Sequence, residues 1–427
     1  MATQIQLSRS PYYVKLVPTT TPQDMVRSTT EVRLWQGAET IPTGTADFTI
    51  SKTPVGGDQF ITLEFSQLIN DKFNQQYNGL IYTDDVWFLY YECEFFDSVG
   101  TQIGTSITPP EPLVFTQGYG NFNQGVNPYY DTGNIVTGNS ISMMSSQLSL
   151  RLPEPEIMTI PVLICKNETA TVVWYNGTLA EAKANVASTK TKIETYTNGG
   201  LSEEYIHYFN NQNPNLNVPA GHNTNATDYQ IYVEMDQAGV YEDNSVFWCP
   251  ENDNPNTVVK ISYSGDQANL GTYYEINYLT KDKYDPYKIT FVNKYGALES
   301  IWMMGAFKES LAVKNDQFKR NLLDRSVPSY NTEAHQYVTF GDQGTKSISL
   351  NTGWIPESMN VTLQELFLSQ KIWLTNYNPE PSISANVINE PVIIKSKNLE
   401  FKRHINDRMI NYNLQFQYAF DMINQVR

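Results

Sequence analysis

The sequence predicts a mainly β protein: tandem antiparallel β-sandwich modules of immunoglobulin or fibronectin type, then a C-terminal β domain carrying a short helix. Three observations predict it. Aromatic residues make up 13% of the 427 residues, with 28 Tyr and 7 Trp, while charged residues make up only 17%, a balance that suits pleated sheets with weakly charged surfaces. Short apolar runs recur, each broken by Gly, Pro, Asp or Thr, the spacing of sandwich strands and their turns. Near the C-terminus, MINYNLQFQYAF alternates apolar and polar residues without a fault, as a half-buried strand requires.

In chain order, residues 1–115 read as a first sandwich. IQLSRSPYYVKL, TEVRLWQG, ADFTISKT, QFITLEF and VWFLYYECEFF are its strands, separated by TTTPQD, ETIPTGT and TPVGGD. Phe65, Leu68, Ile69 and Phe73 fall at the spacing of one short amphipathic helix. Residues 108–133 are rich in Pro, Gly and Asn, so 116–133 reads as a linker or long loop. A middle β domain, 134–285, contains MTIPVLICKN and ATVVWYNG as a hairpin pair, with DYQIYVEM, NSVFWCP and TVVKISYS beyond; 178–213 stays open between helix, strand and loop. The last domain, 286–427, starts with KITFVNKYGALESIWMM, two strands around a turn at NKYG. Met359, Leu363, Leu366 and Phe367 then form a helical stripe with Pro356 in its first turn. Ile410, Tyr412, Leu414, Phe416, Tyr418 and Phe420 share one strand face, and PVIIKSKNLEFK pairs with that strand through the turn HINDR.

The strand DVWFLYYECEFFD raises a specific question. Trp87, Leu89, Tyr91, Cys93 and Phe95 make a complete core face, yet Phe88 and Tyr90 lie on the other. We read Phe88 and Tyr90 as covered by a neighbouring domain or subunit; a loop of their own domain, or a sugar stacked on the rings, are the alternatives. A second surface feature is basic. Residues 395–427 set Lys395, Lys397, Lys402, Arg403, Arg408 and Arg427 against Glu400, Asp407 and Asp421, a local net of +3 on a chain whose net charge is −16. That is either a solvated strand face or a docking patch for an acidic neighbour, such as a second copy. Phe88, Tyr90, Lys395, Lys397, Lys402 and Arg403 are therefore the candidate interface residues.

The chemistry expected from motifs is sparse. The overall acidity argues against sequence-specific nucleic acid as the main partner, since phosphate contacts need cations. The three cysteines, Cys93, Cys165 and Cys249, form no CxxC and read as small buried hydrophobes. The four histidines, His207, His222, His335 and His404, lie in separate segments without ligand spacing. Asp84–Asp85, Glu92 with Glu94, and Glu203–Glu204 are the acidic pairs that a glycosidase reading would need; solvated faces explain them as well. YEDN and ENDN are oxygen-rich but lack the order of a calcium loop, and GYGNFNQG follows no βαβ unit. The expectation is no enzyme, no cofactor and no resident metal. MATQIQLSRSPYYVKL lacks the apolar core of a signal peptide, and no run approaches the roughly 20 apolar residues of a membrane helix. A chain made in a cytoplasm, without a membrane partner, is expected.

RSPYYVKL, TEVRLWQG, FTISKTP and FSQLIND resemble the N-terminal sandwich of virion proteins from tailed phages of Bacteroidales, the crAss-like group among them. FVNKYGALESIWMMG, NTGWIPESMNVTLQELFLSQKIWL and PVIIKSKNLEFKRHINDRMINYNLQFQYAFDMINQVR are similar to the C-terminal part of such proteins. The resemblance covers about half the chain, at its two ends, and leaves the middle unmatched. It implies a structural component of tail, neck or tail hub, made in the host bacterial cytoplasm and carried in the virion. It also implies assembly as a ring with copies of itself and other tail or neck proteins, and brings no active-site residues. A carbohydrate-binding adhesin or tail-fibre module is the alternative, because aromatic-rich sandwiches also bind glycans.

Overall fold

A computed structural model describes residues 4–37, 40–77, 86–131, 141–153, 159–164, 169–184, 190–197, 206–210, 233–235, 239–241, 256–263, 271–279, 284–323, 326, 329–376, 389–401 and 409–422. The chain is mainly β and divides into two compact units. The first comprises Met1–Thr280, Thr290–Ile301 and Ser358–Gln370; the second comprises Lys281–Ile289, Trp302–Glu357 and Lys371–Arg427. These units interleave segments, whereas the sequence expects domains in succession at 1–115, 134–285 and 286–427. The NKYG hairpin and the late helix carry apolar faces that the first unit buries, and burial follows space, not sequence.

The first unit starts with β1 (Gln4–Leu7), β2 (Tyr13–Leu16), β3 (Arg27–Trp35), β4 (Phe48–Lys52), β5 (Ile61–Glu64), α1 (Ser66–Asn70), β6 (Trp87–Phe96), β7 (Leu113–Thr116) and β8 (Tyr129–Asp131). Six of these form a sheet in the order β4-β3-β6-β7-β1-β8, and β2 pairs with β5 separately. The core behaves as the alternation requires. Val32 and Leu34 from β3 meet Leu89, Tyr91, Cys93 and Phe95 from β6, and Leu16, Ile61, Leu63, Phe65 and Ile69 close over them. Phe65 stacks on Tyr91 with ring centroids 5.3 Å apart. The predicted helix is α1, and its stripe is buried at Phe65, Ile69 and Phe73.

Of the linker or long loop expected at 116–133, a loop stands at 117–128, between two strands of one sheet. β7 is an inner strand, antiparallel to β6 and parallel to β1, and β8 pairs with β1. The Pro and Gly residues around LVFT punctuate strands instead of separating domains. Gly118 is one such position: a Cβ there would lie 2.5 Å from the Lys294 carbonyl oxygen and 2.7 Å from Leu7 Cδ2. The parallel β1–β7 pairing also departs from the expected all-antiparallel pattern.

The next strands are β9 (Ile141–Met143), β10 (Ser149–Pro153), β11 (Thr159–Ile164), β12 (Thr169–Asn176), β13 (Lys190–Thr197), β14 (Ile206–Asn210), β15 (Val233–Met235), β16 (Gly239–Tyr241), β17 (Asn256–Tyr263) and β18 (Thr272–Leu279), with α2 at Leu179–Lys183. They form the orders β10-β18-β17-β12-β13, β14-β11-β9 and β15-β16. The expected β11–β12 hairpin does not form: β12 pairs with β13 and β17, and β11 with β14 and β9. Consecutive strands are often not partners, and two equally apolar runs carry no signal for which neighbour each takes. The open segment resolves into α2, β13 and β14. Thr178 and Glu181 cap α2 reciprocally, at 2.8 Å and 3.3 Å.

The remaining elements are β19 (Tyr287–Val292), β20 (Leu298–Met303), β21 (Lys308–Lys319), β22 (Tyr337–Asn351), β23 (Ile355–Pro356), α3 (Asn360–Leu368), β24 (Ile372–Asn376), β25 (Asn389–Ile394), β26 (Met409–Ile410) and β27 (Asn413–Tyr418). The expected NKYG hairpin is β19–β20. Pro356 lies in β23, and a 3₁₀ turn at Glu357–Met359 stands between it and α3. Strands of the second unit run β24-β25-β27-β22-β21. The C-terminal alternation is realised: Ile410, Tyr412, Leu414, Phe416 and Tyr418 are buried, and β27 pairs with β25 as expected. Phe420 is exposed, because the strand stops at Tyr418. The HINDR turn lies outside the described residues.

Candidate functional site

The longest ladder of the second unit is β21–β22. Its register runs from Lys308 opposite Ser349 to Lys319 opposite Tyr337, with one irregularity between Lys314 and Asp316. β22 also pairs with β27, but only over Ser347–Asn351. Beyond that point the ladder continues as a two-stranded arm, with the Met422 amide donating to the Gly344 carbonyl oxygen on the β22 side at 3.0 Å, and every residue of β21 is exposed. The strand KESLAVKNDQFK explains why: neither alternate set is apolar enough to make a core face.

The arm nevertheless carries large apolar side chains. Leu311 and Val313 are exposed near its base, and Phe318, Tyr337 and Phe340 near its tip. Phe318 and Phe340 touch edge to face with centroids 5.8 Å apart, and remain 48% and 51% exposed. A Lys346–Glu309 ion pair at 3.1 Å, with Lys346 Nζ 4.8 Å above the Tyr418 ring, ties the base of the arm to the sheet. Proximity to the Glu309 carboxylate and Tyr418 raises the Lys346 amine against the lowering effect of its burial, the largest single cause. Two-stranded ribbons are marginal alone in water, and this arm leaves its apolar side chains exposed.

The residues singled out in sequence meet different fates. Phe88 is corrected: it is 1% exposed within this chain and stacks on Trp35 at 5.6 Å, so its cover needs no second copy. Tyr90 is half-buried opposite Arg33. Lys395 and Lys397 are exposed just after β25, whereas Lys402 and Arg403 lie outside the described residues. Glu92 and Glu94 sit half-buried on β6, with Glu92 opposite Glu31. Asp84, Asp85, Glu203, Glu204, His222, His404, Cys165 and Cys249 lie outside the described residues, as do ENDN and all of YEDN but its tyrosine. Cys93 is buried, and burial pushes its thiol up. Among the described residues no group of three or more His, Cys, Asp or Glu is placed to hold a metal ion, and no helix is long and apolar enough to cross a membrane.

A polar cluster in the first unit was not anticipated. The turn after β19 is organised by Asn293, whose Oδ1 accepts from the Tyr295 and Ala297 amides at 3.0 and 3.1 Å. Its Nδ2 donates to Glu299 Oε2 at 2.9 Å, and Ser145 Oγ donates to Glu299 Oε1 at 2.6 Å. Glu365 of α3 accepts from Ser146 Oγ at 2.7 Å and lies 3.6 Å from Lys294 Nζ. Both carboxylates are almost wholly buried. Burial pushes Glu365 up, and burial together with the Glu365 charge pushes Glu299 up to about 7. The signal available in sequence was Glu299 inside GALESIWMM, an acid in a strand apolar on both faces.

One exposed loop is also firmly built. Asn127 spans Tyr13, accepting from its amide at 2.7 Å and donating to its carbonyl at 2.8 Å. Gly120 N donates to Ser10 Oγ, and Asn121 N to Gln124 Oε1, both at 2.7 Å. These bonds hold Phe122 fully in solvent between Asn121 and Asn123.

Compared with known families, curated proteins and solved structures, the chain matches no family model, no curated protein and no solved structure.

Proposed function

We propose that this chain is a structural subunit of a tailed-phage virion. It assembles with copies of itself and with neighbouring tail or neck proteins as a ring in the tail, neck or tail hub. The sandwich modules of immunoglobulin type belong to the same proposal, with the β2–β5 ladder and α1 as the layer facing the six-stranded sheet of the first unit. One observation carries the reading: the β21–β22 arm leaves its sheet with apolar side chains uncovered and its outer strand edge free among the described residues.

A free edge of 12 residues invites another chain unless charges guard it. β21 has such guards in Lys308, Lys314 and Lys319, which suit a chosen partner and oppose random stacking. β21 sets these three lysines against Glu309 and Asp316, a net of +1 on a chain of net charge −16, so its lysines can pair with acids on a copy's body. A heterologous contact of arm on body repeats around a ring until it closes. The test is native mass measurement of the full chain, alone and with tail and neck proteins. It is repeated with residues 311–346 replaced by a short turn. Ring-sized species or partner complexes that vanish with the arm support the reading; a full chain that stays a lone monomer and joins no particle component overturns it.

The adhesin reading has one observation of its own, the braced loop that presents Phe122 between amide side chains, a pairing that stacks and hydrogen-bonds sugars. Glycan binding by the isolated chain, lost in Phe122→Ala, would favour it.

A further inference from the structure

We propose that Glu299 and Glu365 form a proton-operated lock that fastens the β19–β20 turn and α3 onto the Ser145–Ser146 segment of the first unit. The geometry is specific. Consecutive serines each hold one carboxylate, Ser145 to Glu299 at 2.6 Å and Ser146 to Glu365 at 2.7 Å. The two acids arrive from elements 66 positions apart in sequence (299 and 365), yet each closes on one of two adjacent hydroxyls. Asn293 adds a further tie, donating both to Glu299 and to the Met144 carbonyl oxygen.

The charges within this lock do not balance. Two carboxylates share one cation, Lys294, and that cation sits beside Glu365. The other titratable groups around the pair are phenols: Tyr274 of β18, Tyr295 of the turn and Tyr119 after β7, with the Arg9 guanidinium 5.0 Å above the Tyr119 ring. Burial keeps the Tyr274 phenol neutral, and its hydroxyl is wholly buried with no hydrogen-bond partner among the described residues, although the Glu299 charge reaches it. Arg9 lies over Tyr119 and donates to the Leu368 carbonyl oxygen instead of to either acid, so within direct reach of the two carboxylates the cluster has a buried polar group unspent and is one positive charge short of neutrality. A proton on Glu299 supplies that charge. The Ser145 hydroxyl can donate to the ionised acid or accept from the protonated one, so either state keeps its tie. Only the charged state brings two like charges together away from water.

The direction follows by linkage. Glu299 holds its proton in the folded chain up to about 7, whereas a solvated glutamate releases it near pH ~4.3. Stability from the protonated lock is fully present below the ordinary carboxyl range and is lost as pH rises through about 7.

The experiment is thermal melting of the full chain from pH 5 to 8.5, for wild type and Glu299→Gln, with and without millimolar calcium or magnesium. Wild type should lose several degrees across neutrality, the variant should lose little, and the variant should melt above wild type at pH 8. Hydrogen exchange at 144–147, 290–301 and 358–370 should rise over the same interval in wild type. Because the variant can fail to fold, infrared spectroscopy of wild type provides an independent reading: a buried carboxylic-acid band at pH 6 that disappears by pH 8. Equal pH slopes in both chains, or no such band, overturns the lock. So does a divalent ion that restores wild type alone at pH 8, since the missing charge would then be a metal.

Discussion

Replacing Phe318 and Phe340 together by Ser separates assembly from folding. In the isolated chain the rings are 48% and 51% exposed; their buried halves contribute up to about 2.5 kcal/mol apiece, but to the arm alone, whose outer strand is exposed throughout, so the core should melt as before. In an assembly the exposed halves are the material a partner would cover. A phenylalanine offers about 200 Å², leaving about 100 Å² per ring to bury. At about 25 cal/mol per Å², that is about 2.5 kcal/mol for each ring and about 5 kcal/mol for both. Five kcal/mol corresponds to an association constant lowered several-thousand-fold. Sedimentation velocity over a range of concentrations reads the association, and a melting curve on the same samples reads the fold. The expected result is dissociated subunits with a melting temperature within a few degrees of wild type. If the variant associates like wild type, the tip rings touch nothing and the arm's role in assembly is refuted.

Other expectations follow from single positions. Gly296 has φ +88°, and a Cβ there would lie 2.6 Å from the Gln117 amide nitrogen; Gly296→Ala should cost about 3 kcal/mol from left-handed strain and backbone overlap. Denaturant titration showing a loss below about 1 kcal/mol would contradict this packing. Phe88→Asp places a carboxylate where the ring is 1% exposed against Trp35 and should cost more than about 4 kcal/mol. An isolated variant that melts like wild type but no longer assembles would restore the intersubunit reading of Phe88. The Cys93 thiol, pushed up by burial, should resist alkylation in the native chain at pH 8 and react in denaturant, which peptide mass mapping distinguishes.

The strands with regular alternation were legible from sequence because period two reports burial on one face. β3, β6 and β27 appear where TEVRLWQG, VWFLYYECEFF and MINYNLQFQYAF place them. The stripe of α3 was legible for the same reason, with Met359, Leu363 and Leu366 buried. Phe88 was misread because alternation assigns a side but does not say what lies over it; the ring is buried within the chain and stacks on Trp35 of the neighbouring strand. The arm was illegible in another way. KESLAVKNDQFK has no one-sided pattern, and a strand that buries neither face leaves no periodic signal.

The sequence by itself determined that this chain builds sheets, which faces of the regular strands turn inward, and that an acidic body carries a basic C-terminal stretch. Those properties are written in neighbouring residues. Pairing is not. That β7 lies parallel to β1, that β11 leaves β12 for β14, and that Glu299 and Glu365 close on adjacent serines was decided only in the tertiary structure. A strand offers the same hydrogen bonds along both edges to any partner, so pairing follows from the simultaneous packing of side chains far apart in sequence.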